Sequence, residues 1–387
     1  MASDRSLIPL AVPVTGAAEA VNLKACIDEN FVSSVGRFVT QFEEMVASST
    51  GATGAVATSC GTTGLHAALV ALGVSRDDLV ILPSFTFIAS ANAIAHCGAL
   101  PWLMDIETES WNLDLGQVES ELRESAVKEG GVLRHRPSGR RIAAIMPVYC
   151  LGTPLDFDRL NSFAEEWRLP VVVDAAAAIG TRWQGQPLAA AGTLSVISFN
   201  GNKTATAGGG GMVVGRDKVL LALVRHLTTT ARAGADYTHD RVGFNYRMTN
   251  LQAAVGCAQM ERLDELVAAK RRIRATYDAA FAGMPGLALF PNPKGAECGC
   301  WLSGVVVNQR LPAVPSLCDA LRKVGIEARP FWKPVHLQAP YSDAPRAASL
   351  EQAEDLWHRI LTLPSSTNLS EGEQTRVVET LMGFLRR

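Results

Sequence analysis

The chain has 387 residues, more than one hydrophobic core usually serves, so a large domain and a smaller one are expected. Hydrophobic residues make up 48% and charged residues 19%, which excludes a disordered or fibrous chain. The 36 basic and 38 acidic residues nearly cancel, and the sequence lacks the basic excess or stripe that is usual in proteins that bind nucleic acid.

Short apolar runs alternate with helical patterns from the first third of the chain onward. The runs are bounded by Gly, Pro or Asp and are too short for helices, so they predict buried strands. These predicted strands are 55–57, 79–82, 101–104, 142–147, 171–173, 194–199 and 212–214. Helical patterns between them include 62–72, 87–96, 155–167 and 218–228. The alternation predicts an α/β fold with a mainly parallel sheet covered on both faces, in which ligands bind at the carboxyl ends of the strands.

A long helical pattern over 248–281 leads into a different kind of sequence. The elements after it are shorter, and they include a predicted strand over 301–307 and a predicted helix over 315–324. We place the domain boundary near residue 260. This gives a large domain over 1–260 and a smaller C-terminal α+β domain over 261–387.

The cysteines and the hydropathy bear on the compartment. Eight cysteines are scattered through the chain, and only Cys298 and Cys300 are close together. No spacing of cysteines and histidines fits a zinc site, so no metal is expected. Scattered thiols in a chain of this length are typical of reduced, cytoplasmic proteins. No apolar stretch reaches the roughly 18–20 residues of a membrane-spanning helix, so no membrane partner is expected.

Lys203 is one of only eight lysines, and its position is unusual. It follows the predicted strand 194–199 and precedes the glycine run 208–211, whereas the other lysines, such as Lys270, mostly fall on predicted polar helix faces or in polar loops. Partial desolvation there would favour the neutral amine, which is the nucleophile in Schiff-base chemistry. The alternative is a lysine whose charge simply reaches water from a loop.

Asp174 ends the apolar run Val171–Val173 and is followed by four alanines. A carboxylate at a buried strand end needs a partner. It could cap the N-terminus of a helix. It could instead pair with the protonated ring nitrogen of a pyridoxal cofactor, which keeps the ring able to draw electrons from the substrate.

The segment 58–65 lies between a predicted strand and a predicted helix and contains Gly61, Thr62 and Thr63. Hydroxyls and free amides at a helix N-terminus bind anions, so a phosphate monoester would fit, as would a plain capped helix. Four features follow one another in the order used by fold-type I pyridoxal-phosphate enzymes. They are this segment, an aromatic segment ending at Phe87, the aspartate at a strand end and the lysine at a strand end. Phe87 would stack on the ring, and Ser198 would bind the phosphate.

Seven stretches of the sequence together point to one family. They are 32–39, 58–65, 83–89, 198–203, 208–214, 244–254 and 329–336. On them the chain resembles the DegT/DnrJ/EryC1/StrS sugar aminotransferases over nearly its whole length. Within that family it looks most like nucleotide-sugar C4 aminotransferases of the legionaminic-acid-pathway and perosamine-synthase types.

The resemblance implies a pyridoxal 5'-phosphate enzyme of fold type I and assigns its cofactor contacts. Lys203 would be linked covalently to the cofactor and would then move the proton during transamination. Asp174 would hold the pyridine nitrogen. The phosphate contacts would come from Gly61, Thr62, Thr63 and Ser198.

The resemblance also implies partners. Asn245 would reach the cofactor phosphate of a neighbouring subunit, so a homodimer with shared active sites is expected. Arg247 would bind the carboxylate of the amino donor or the sugar nucleotide, and Arg329 and His336 would lie near the sugar. For these four residues, an ordinary role as polar loop or surface side chains stays open.

The activity implied is transfer of an amino group, from glutamate, to C4 of a nucleotide-linked 4-keto-6-deoxy sugar in surface-glycan biosynthesis. Ala177, Gly209 and Tyr149 depart from residues that are common in the family. Ala177 and Tyr149 leave the substrate open, so another keto sugar or a keto-cyclitol is an alternative acceptor. Ala177 also leaves open a non-catalytic sensor that binds pyridoxal phosphate. Lys203 argues against the dehydratase branch, in which a histidine replaces the lysine.

Overall fold

The computed structural model describes residues 7–386. Residues 1–6 of the predicted large domain and residue 387 of the predicted small domain lie outside the described part. The helices within that range are α1 (Ala17–Asp28), α2 (Arg37–Thr50), α3 (Gly61–Ala71), α4 (Ile88–His96), α5 (Leu115–Ser125), α6 (Phe157–Trp167), α7 (Lys218–Thr228), α8 (Asn250–Glu261), α9 (Leu263–Phe281), α10 (Val314–Lys323), α11 (Glu351–Leu356) and α12 (Glu371–Leu385). The strands are β1 (Gly54–Thr58), β2 (Leu79–Pro83), β3 (Leu100–Met104), β4 (Ala126–Glu129), β5 (Val132–His135), β6 (Ile142–Ile145), β7 (Val172–Asp174), β8 (Arg182–Trp183), β9 (Gln186–Pro187), β10 (Leu194–Ser198), β11 (Gly211–Gly215), β12 (Leu287–Leu289), β13 (Ala296–Glu297), β14 (Ser303–Val307), β15 (Arg329–Pro330) and β16 (Ile360–Leu363).

A seven-stranded mixed sheet forms the centre of the molecule, in the order β3-β2-β6-β7-β10-β11-β1. Parallel pairing joins β3, β2 and β6, and also β7 and β10. Parallel bridges from Ile145 to Val171 and from Val148 to Asp174 connect β6 with β7. Only β11 runs against its two neighbours. The predicted α/β class with a mainly parallel sheet is confirmed.

Alternation along the strands explains why helices cover both faces of this sheet. Val80 and Leu82 of β2 belong to one buried cluster, with side chains of α3, α4 and α7. Leu79 and Ile81 of the same strand belong to another, with side chains of α2, α6 and α8. Successive side chains of a strand point to opposite faces, so a strand that is apolar at every position must be covered on both sides.

The predicted long helix over 248–281 is two helices. Arg262, with φ −109° and ψ 12°, separates α8 from α9. The start of α8 is fixed by Thr249, whose hydroxyl accepts from the amide of Gln252, while the Gln252 side chain accepts from the Thr249 amide. No Gly or Pro marks the break, so residue pattern alone gave no reason to divide the helix.

The C-terminal part is built on an antiparallel sheet in the order β12-β14-β16-β15. Apolar side chains of α9, α10 and α12 pack on it in a cluster of their own, which includes Ile273, Val305 and Leu381. Ile8 near the N-terminus also belongs to this cluster, and its amide donates to the carbonyl of Gly325 at 2.9 Å. We propose that the domain boundary lies near residue 260, next to the break between α8 and α9.

Two further observations concern the cysteines and the helices of residues 7–386. All eight cysteines are free thiols, including the neighbouring pair Cys298 and Cys300. Within that range, no helix combines the length and the apolar character needed to cross a membrane.

Candidate active site

A cavity of about 540 Å³ opens where the large sheet meets the C-terminal part. Its floor is formed by the carboxyl ends of β7 and β10 and by the N-terminus of α3, and its far wall comes from 301–302 and 329–332. This is the place where a parallel α/β sheet is expected to hold a ligand, and the volume suits a cofactor with a substrate.

Seven of the residues singled out in the sequence lie together in this cavity. They are Gly61, Thr62, Phe87, Asp174, Ser198, Lys203 and Arg329. They come from positions up to 268 residues apart in the chain (329 minus 61), and the fold brings them to one site. Thr63, Asn245, Arg247 and His336 are not among the residues that line it.

Asp174 is the last residue of β7 and is 5% exposed. Its Oδ2 accepts a hydrogen bond of 2.6 Å from the hydroxyl of Ser90, and its Oδ1 accepts from the amide of Ala176 at 3.1 Å. Burial raises the pKa of Asp174 above its ordinary value, while the Ser90 bond, the Ala176 bond and the charge of Lys203 act in the opposite direction. A carboxylate so placed gains from any cationic group that enters the cavity.

Lys203 lies in the turn after β10, half-buried, with its amine at the cavity. Burial lowers its pKa to about 8, although Asp174 and the buried thiol of Cys150 oppose the change. The ammonium lies 3.7 Å from the centre of the Trp301 ring. The amine is therefore neutral far more often than an ordinary lysine at neutral pH, which is the condition for nucleophilic attack.

The N-terminus of α3 forms a narrow, amide-rich corner of the cavity. The amides of Gly61 and Thr62 lie in the first turn, where no acceptor within the helix is available. The strands close around it so tightly that a Cβ on Gly211 would lie 2.5 Å from the carbonyl carbon of Cys60. Ser198 lies on the opposite side, with its hydroxyl accepting from the amide of Asn200 at 3.3 Å. Free amides, a helix N-terminus and a hydroxyl together favour an anion.

Thr63 has a different place from its neighbours in this corner. Its hydroxyl donates to the carbonyl of Cys60 at 2.9 Å and accepts from the Cys60 amide at 3.1 Å. These bonds close the first turn of α3, with the Thr63 amide donating to the Cys60 thiol. The hydroxyl is thus used in capping, and a contact between Thr63 and phosphate stays a prediction.

Aromatic side chains form the wall of the cavity above the strand ends. Phe87 is 53% exposed although it precedes a helix of the core. Its ring lies 5.8 Å from that of Trp332, which in turn lies 4.2 Å from Phe331 and 6.1 Å from Trp301. An apolar ring left open on a cavity wall suits stacking on a flat ligand.

His336 lies behind the cavity wall and is 4% exposed. Its Nδ1 is 2.6 Å from the hydroxyl of Ser84, and its Nε2 is 2.9 Å from the carboxylate of Glu354. Both ring nitrogens thus have protein partners, and the histidine ties the turn at 335–337 to the loop after β2. Its predicted contact with the sugar stays a prediction.

Asn245 and Arg247 are exposed and lie outside the cavity. The guanidinium of Arg247 donates to the amide oxygen of Asn245 at 3.2 Å. Their segment runs beside the loop before α3, because Arg247 bridges to Thr58 and the Ser59 amide donates to the carbonyl of Tyr246. Both side chains are available to a second molecule.

Sequence reasoning missed three residues at or next to the site. Trp301 was placed in a strand, but it precedes β14 and its ring faces Lys203. Tyr149 was treated only as a departure, yet it lines the cavity, and its buried hydroxyl has no hydrogen-bond partner within the described part of the chain. Lys270 was counted with the lysines of polar helix faces, which is wrong, since it is 2% exposed.

Comparisons with known proteins agree with this geometry. The model of the DegT/DnrJ/EryC1/StrS aminotransferase family matches residues 13–382. The chain is 36% identical over 384 residues to GDP-perosamine synthase of Caulobacter vibrioides, covering 98% of each protein. It is 34% identical over 380 residues to a Bacillus subtilis (strain 168) protein with the provisional name pyridoxal phosphate-dependent aminotransferase EpsN, covering 97% of this chain and 95% of that one.

Solved structures resemble the whole molecule. The crystal structure of DesI in the presence of its TDP-sugar product superposes with a TM-score of 0.88 at 28% identity, covering 100% of this chain and 94% of that one. The family match, the full-length relatives and the cavity of strand-end residues lead to one conclusion. The chain belongs to the DegT/DnrJ/EryC1/StrS aminotransferase family.

Proposed function

We propose that this chain is a pyridoxal-phosphate-dependent aminotransferase that moves an amino group from glutamate to C4 of a nucleotide-linked 4-keto-6-deoxy sugar. The observation that carries the proposal is the convergence of Asp174, Lys203 and the N-terminus of α3 on one cavity. A buried acid, a lysine of lowered pKa and an anion site are the three things that such a cofactor requires.

The residues present fit the cofactor. The amides of Gly61 and Thr62 with the hydroxyl of Ser198 would hold its phosphate, since they form an anion site without a competing acidic side chain among the residues that line that corner. Asp174 would hold the ring nitrogen, and Phe87 would cover one face of the ring. The unpartnered hydroxyl of Tyr149 is a further polar group that a bound molecule would satisfy.

The bound cofactor supplies the electron sink that lets a proton leave the carbon bearing the nitrogen. Residues of this chain would set the charge of the ring and transfer the proton. Asp174 keeps a proton on the ring nitrogen by its negative charge, and Ser90 keeps that carboxylate charged and aimed. Lys203, as a free amine, would take up and return a proton at Nζ, and its lowered pKa leaves enough neutral amine near neutral pH for it to act as a base.

A nucleotide sugar suits the outer part of the cavity. Arg329 lies at its wall beside Trp332, so a cation and an aromatic face are offered together to an anionic, partly apolar ligand. Relatives named GDP-perosamine synthase, and DesI with its TDP-sugar product, support a nucleotide-linked acceptor. We further propose that the reaction belongs to surface-glycan biosynthesis. We also propose that it takes place in the cytoplasm, and the eight free thiols support that compartment.

We also propose a homodimer in which each active site is completed by the neighbouring subunit. Asn245 and Arg247 support it, because both are exposed, both lie outside their own cavity, and both lie close to the loop before α3. The test mixes two inactive variants, Lys203→Ala and Asn245→Asp, under conditions that exchange subunits. Recovered activity supports shared sites, because a hybrid dimer has one intact site, and a mixture as inactive as its parents contradicts them.

The cofactor is tested by the absorbance spectrum of the purified protein with pyridoxal 5'-phosphate. Wild type should show the visible band of a lysine-linked cofactor, and Lys203→Ala should lack it. Lys128→Ala, an exposed lysine on β4, is the matched control and should keep the band. A Lys203→Ala band equal to that of wild type would refute the assignment.

The reaction is tested one half at a time. L-Glutamate should remove the band, and a nucleotide-linked 4-keto-6-deoxy sugar should restore it with formation of the 4-amino sugar. GDP-, UDP- and dTDP-linked sugars and a panel of keto-cyclitols separate the acceptors. Restoration only by a cyclitol refutes the sugar, and a band that glutamate does not change at all favours the sensor.

A further inference from the structure

A second lysine, which is fully buried, lies close to the site on the C-terminal side of the cavity. Lys270, in the middle of α9, is 2% exposed and does not line the cavity. Its ammonium donates to the carbonyl of Trp301 at 2.9 Å and to the carbonyl of Ser365. Within residues 7–386 no carboxylate forms an ion pair with it. An ammonium held by carbonyls alone is costly to bury, so its position calls for an explanation.

The two carbonyls belong to segments that come together only in the folded chain. Trp301 precedes β14, and Ser365 follows β16, so Lys270 joins the ends of two neighbouring strands. Burial lowers the pKa of Lys270 to about 8; the titratable groups near it are Cys300, which acts in the opposite direction, and Lys203, which adds to the lowering. The bonds that hold the amine therefore fix the backbone of Trp301 to α9.

Trp301 is held at three atoms. Its amide donates to the carbonyl of Leu151 at 3.1 Å, its indole Nε1 donates to the carbonyl of Asn202 at 2.7 Å, and its carbonyl accepts from Lys270. The ring held in this way lies 3.7 Å from the Nζ of Lys203. Tryptophan is the best aromatic partner for a cation, and the attraction depends steeply on where the ring lies.

We propose that Lys270 is a positioning residue: by holding the carbonyl of Trp301 it fixes the indole ring against Lys203 and so gives the free ammonium of Lys203 a defined resting place. The inference rests on the proposed function only in treating Lys203 as the reactive amine. It adds a residue outside the cavity to the machinery that sets how Lys203 is protonated.

Two modes of action for Lys270 predict shifts of opposite sign. If it acts through Trp301, its loss removes one of the three bonds that hold Trp301, so the ring is held less firmly against Lys203. The ammonium of Lys203 is then less well stabilised, and Lys203 deprotonates at lower pH. If it acts only by its own positive charge, its loss removes repulsion, and Lys203 deprotonates at higher pH. The groups that face Lys203 directly, Asp174 and Cys150, are unchanged in either case.

The experiment measures protonation of Lys203 in the cofactor-free protein. The protein is labelled with trinitrobenzenesulfonate between pH 6 and pH 10, and the modified Lys203 peptide is quantified by mass spectrometry. Wild type should give a midpoint near pH 8. Lys270→Met and Trp301→Leu should each lower the midpoint by about half a pH unit or more, as expected for loss of a buried cation–π contact.

The double variant Lys270→Met/Trp301→Leu should shift the midpoint no further than Trp301→Leu alone, because both changes remove the same contact. Arg274→Met is the matched control. Arg274 lies one turn later on α9 and is buried, and its hydrogen bonds go to Asp278 and to the carbonyls of Phe290 and Pro291. It should lower stability and leave the Lys203 midpoint unchanged.

An unchanged or raised midpoint in Lys270→Met, or additive shifts in the double variant, would overturn the proposal. If Lys270→Met does not fold, Lys270→Gln keeps one donor for the Trp301 carbonyl and should give a smaller shift in the same direction. The assay uses neither cofactor nor substrate, so its outcome is independent of whether the proposed transamination is correct.

Discussion

Ser90 controls the charge of the acid that would hold the cofactor ring. It is fully buried on α4, and its hydroxyl donates to Oδ2 of Asp174 at 2.6 Å while contacting the hydroxyl of Thr86 at 2.8 Å. In Ser90→Ala the carboxylate loses one of its two hydrogen-bond donors and stays buried. Burial raises the pKa of Asp174, and without the Ser90 hydrogen bond that pKa rises further, so a larger fraction of Asp174 is the neutral acid.

The magnitude follows from the kind of bond that is lost. A buried hydrogen bond to a charged group contributes about 1.5–3 kcal/mol. Since 1.4 kcal/mol is a factor of ten in an equilibrium constant, binding of pyridoxal 5'-phosphate should weaken by about tenfold to a hundredfold. The phosphate site at α3 is untouched by this change, so pyridoxal phosphate should still bind at high concentration.

Ser195 on β10 provides a matched control for this prediction. It is 1% exposed, and its hydroxyl has no hydrogen-bond partner in the part of the chain described. Ser195→Ala therefore makes the same chemical change in the core without touching Asp174. Absorbance titration of the cofactor-free proteins gives the three dissociation constants. A Ser90→Ala constant within twofold of those of wild type and Ser195→Ala would refute the role of this hydrogen bond.

Two further predictions concern the packing around the site and the pH dependence of stability. Gly211→Ala places a Cβ 2.5 Å from the Cys60 carbonyl and should cost about 1–3 kcal/mol with weaker cofactor binding, whereas Gly383→Ala, in open space on α12, should stabilise by up to about 1 kcal/mol. Thermal unfolding checks both, and equal melting temperatures would contradict the first. Arg141→Met should cost about 1 kcal/mol at pH 7, since Arg141 is half-exposed and screened by water. Burial raises the pKa of Asp78, but its hydrogen bonds, chiefly from Arg141, lower it overall. The stability gained is therefore present above pH ~4 and lost as the pH falls through the pKa of Asp78. Urea unfolding at pH 7 and pH 3 should show the difference between wild type and Arg141→Met shrinking with acid, and a constant difference would contradict it.

The strands and the inner part of the site could be predicted because their signals are local. Each apolar run is bounded by a residue that ends a strand, and the carboxyl ends of parallel strands lie on one edge of a sheet. Asp174 and Lys203 follow two such runs, and β7 and β10 are neighbours in the sheet. Their convergence on one cavity therefore follows from strand direction and strand order. The resemblance to a family added the expected role of each residue.

The features that could not be read from the sequence depend on contacts that it does not display. A threonine in the first turn of a helix can bind a ligand or cap the helix. The Thr63 hydroxyl donates to the Cys60 carbonyl, and its contact with phosphate stays a prediction. His336 lies in a stretch typical of the family, but its ring is turned to Ser84 and Glu354. The break at Arg262 has no Gly or Pro beside it, so the sequence does not mark it.

Lys203 and Lys270 show that a lowered pKa does not by itself make a lysine reactive. Burial lowers the pKa of both Lys203 and Lys270 to about 8, so a lowered pKa by itself marks neither as a nucleophile. Lys203 opens onto a cavity with a carboxylate and an anion site beside it. Lys270 does not line that cavity, and both of its carbonyl partners are protein backbone. Access and the neighbouring charges decide which amine can meet a carbonyl compound. Lys270 instead donates to the backbone carbonyl of Trp301, and we infer that it affects Lys203 by holding the Trp301 ring in place.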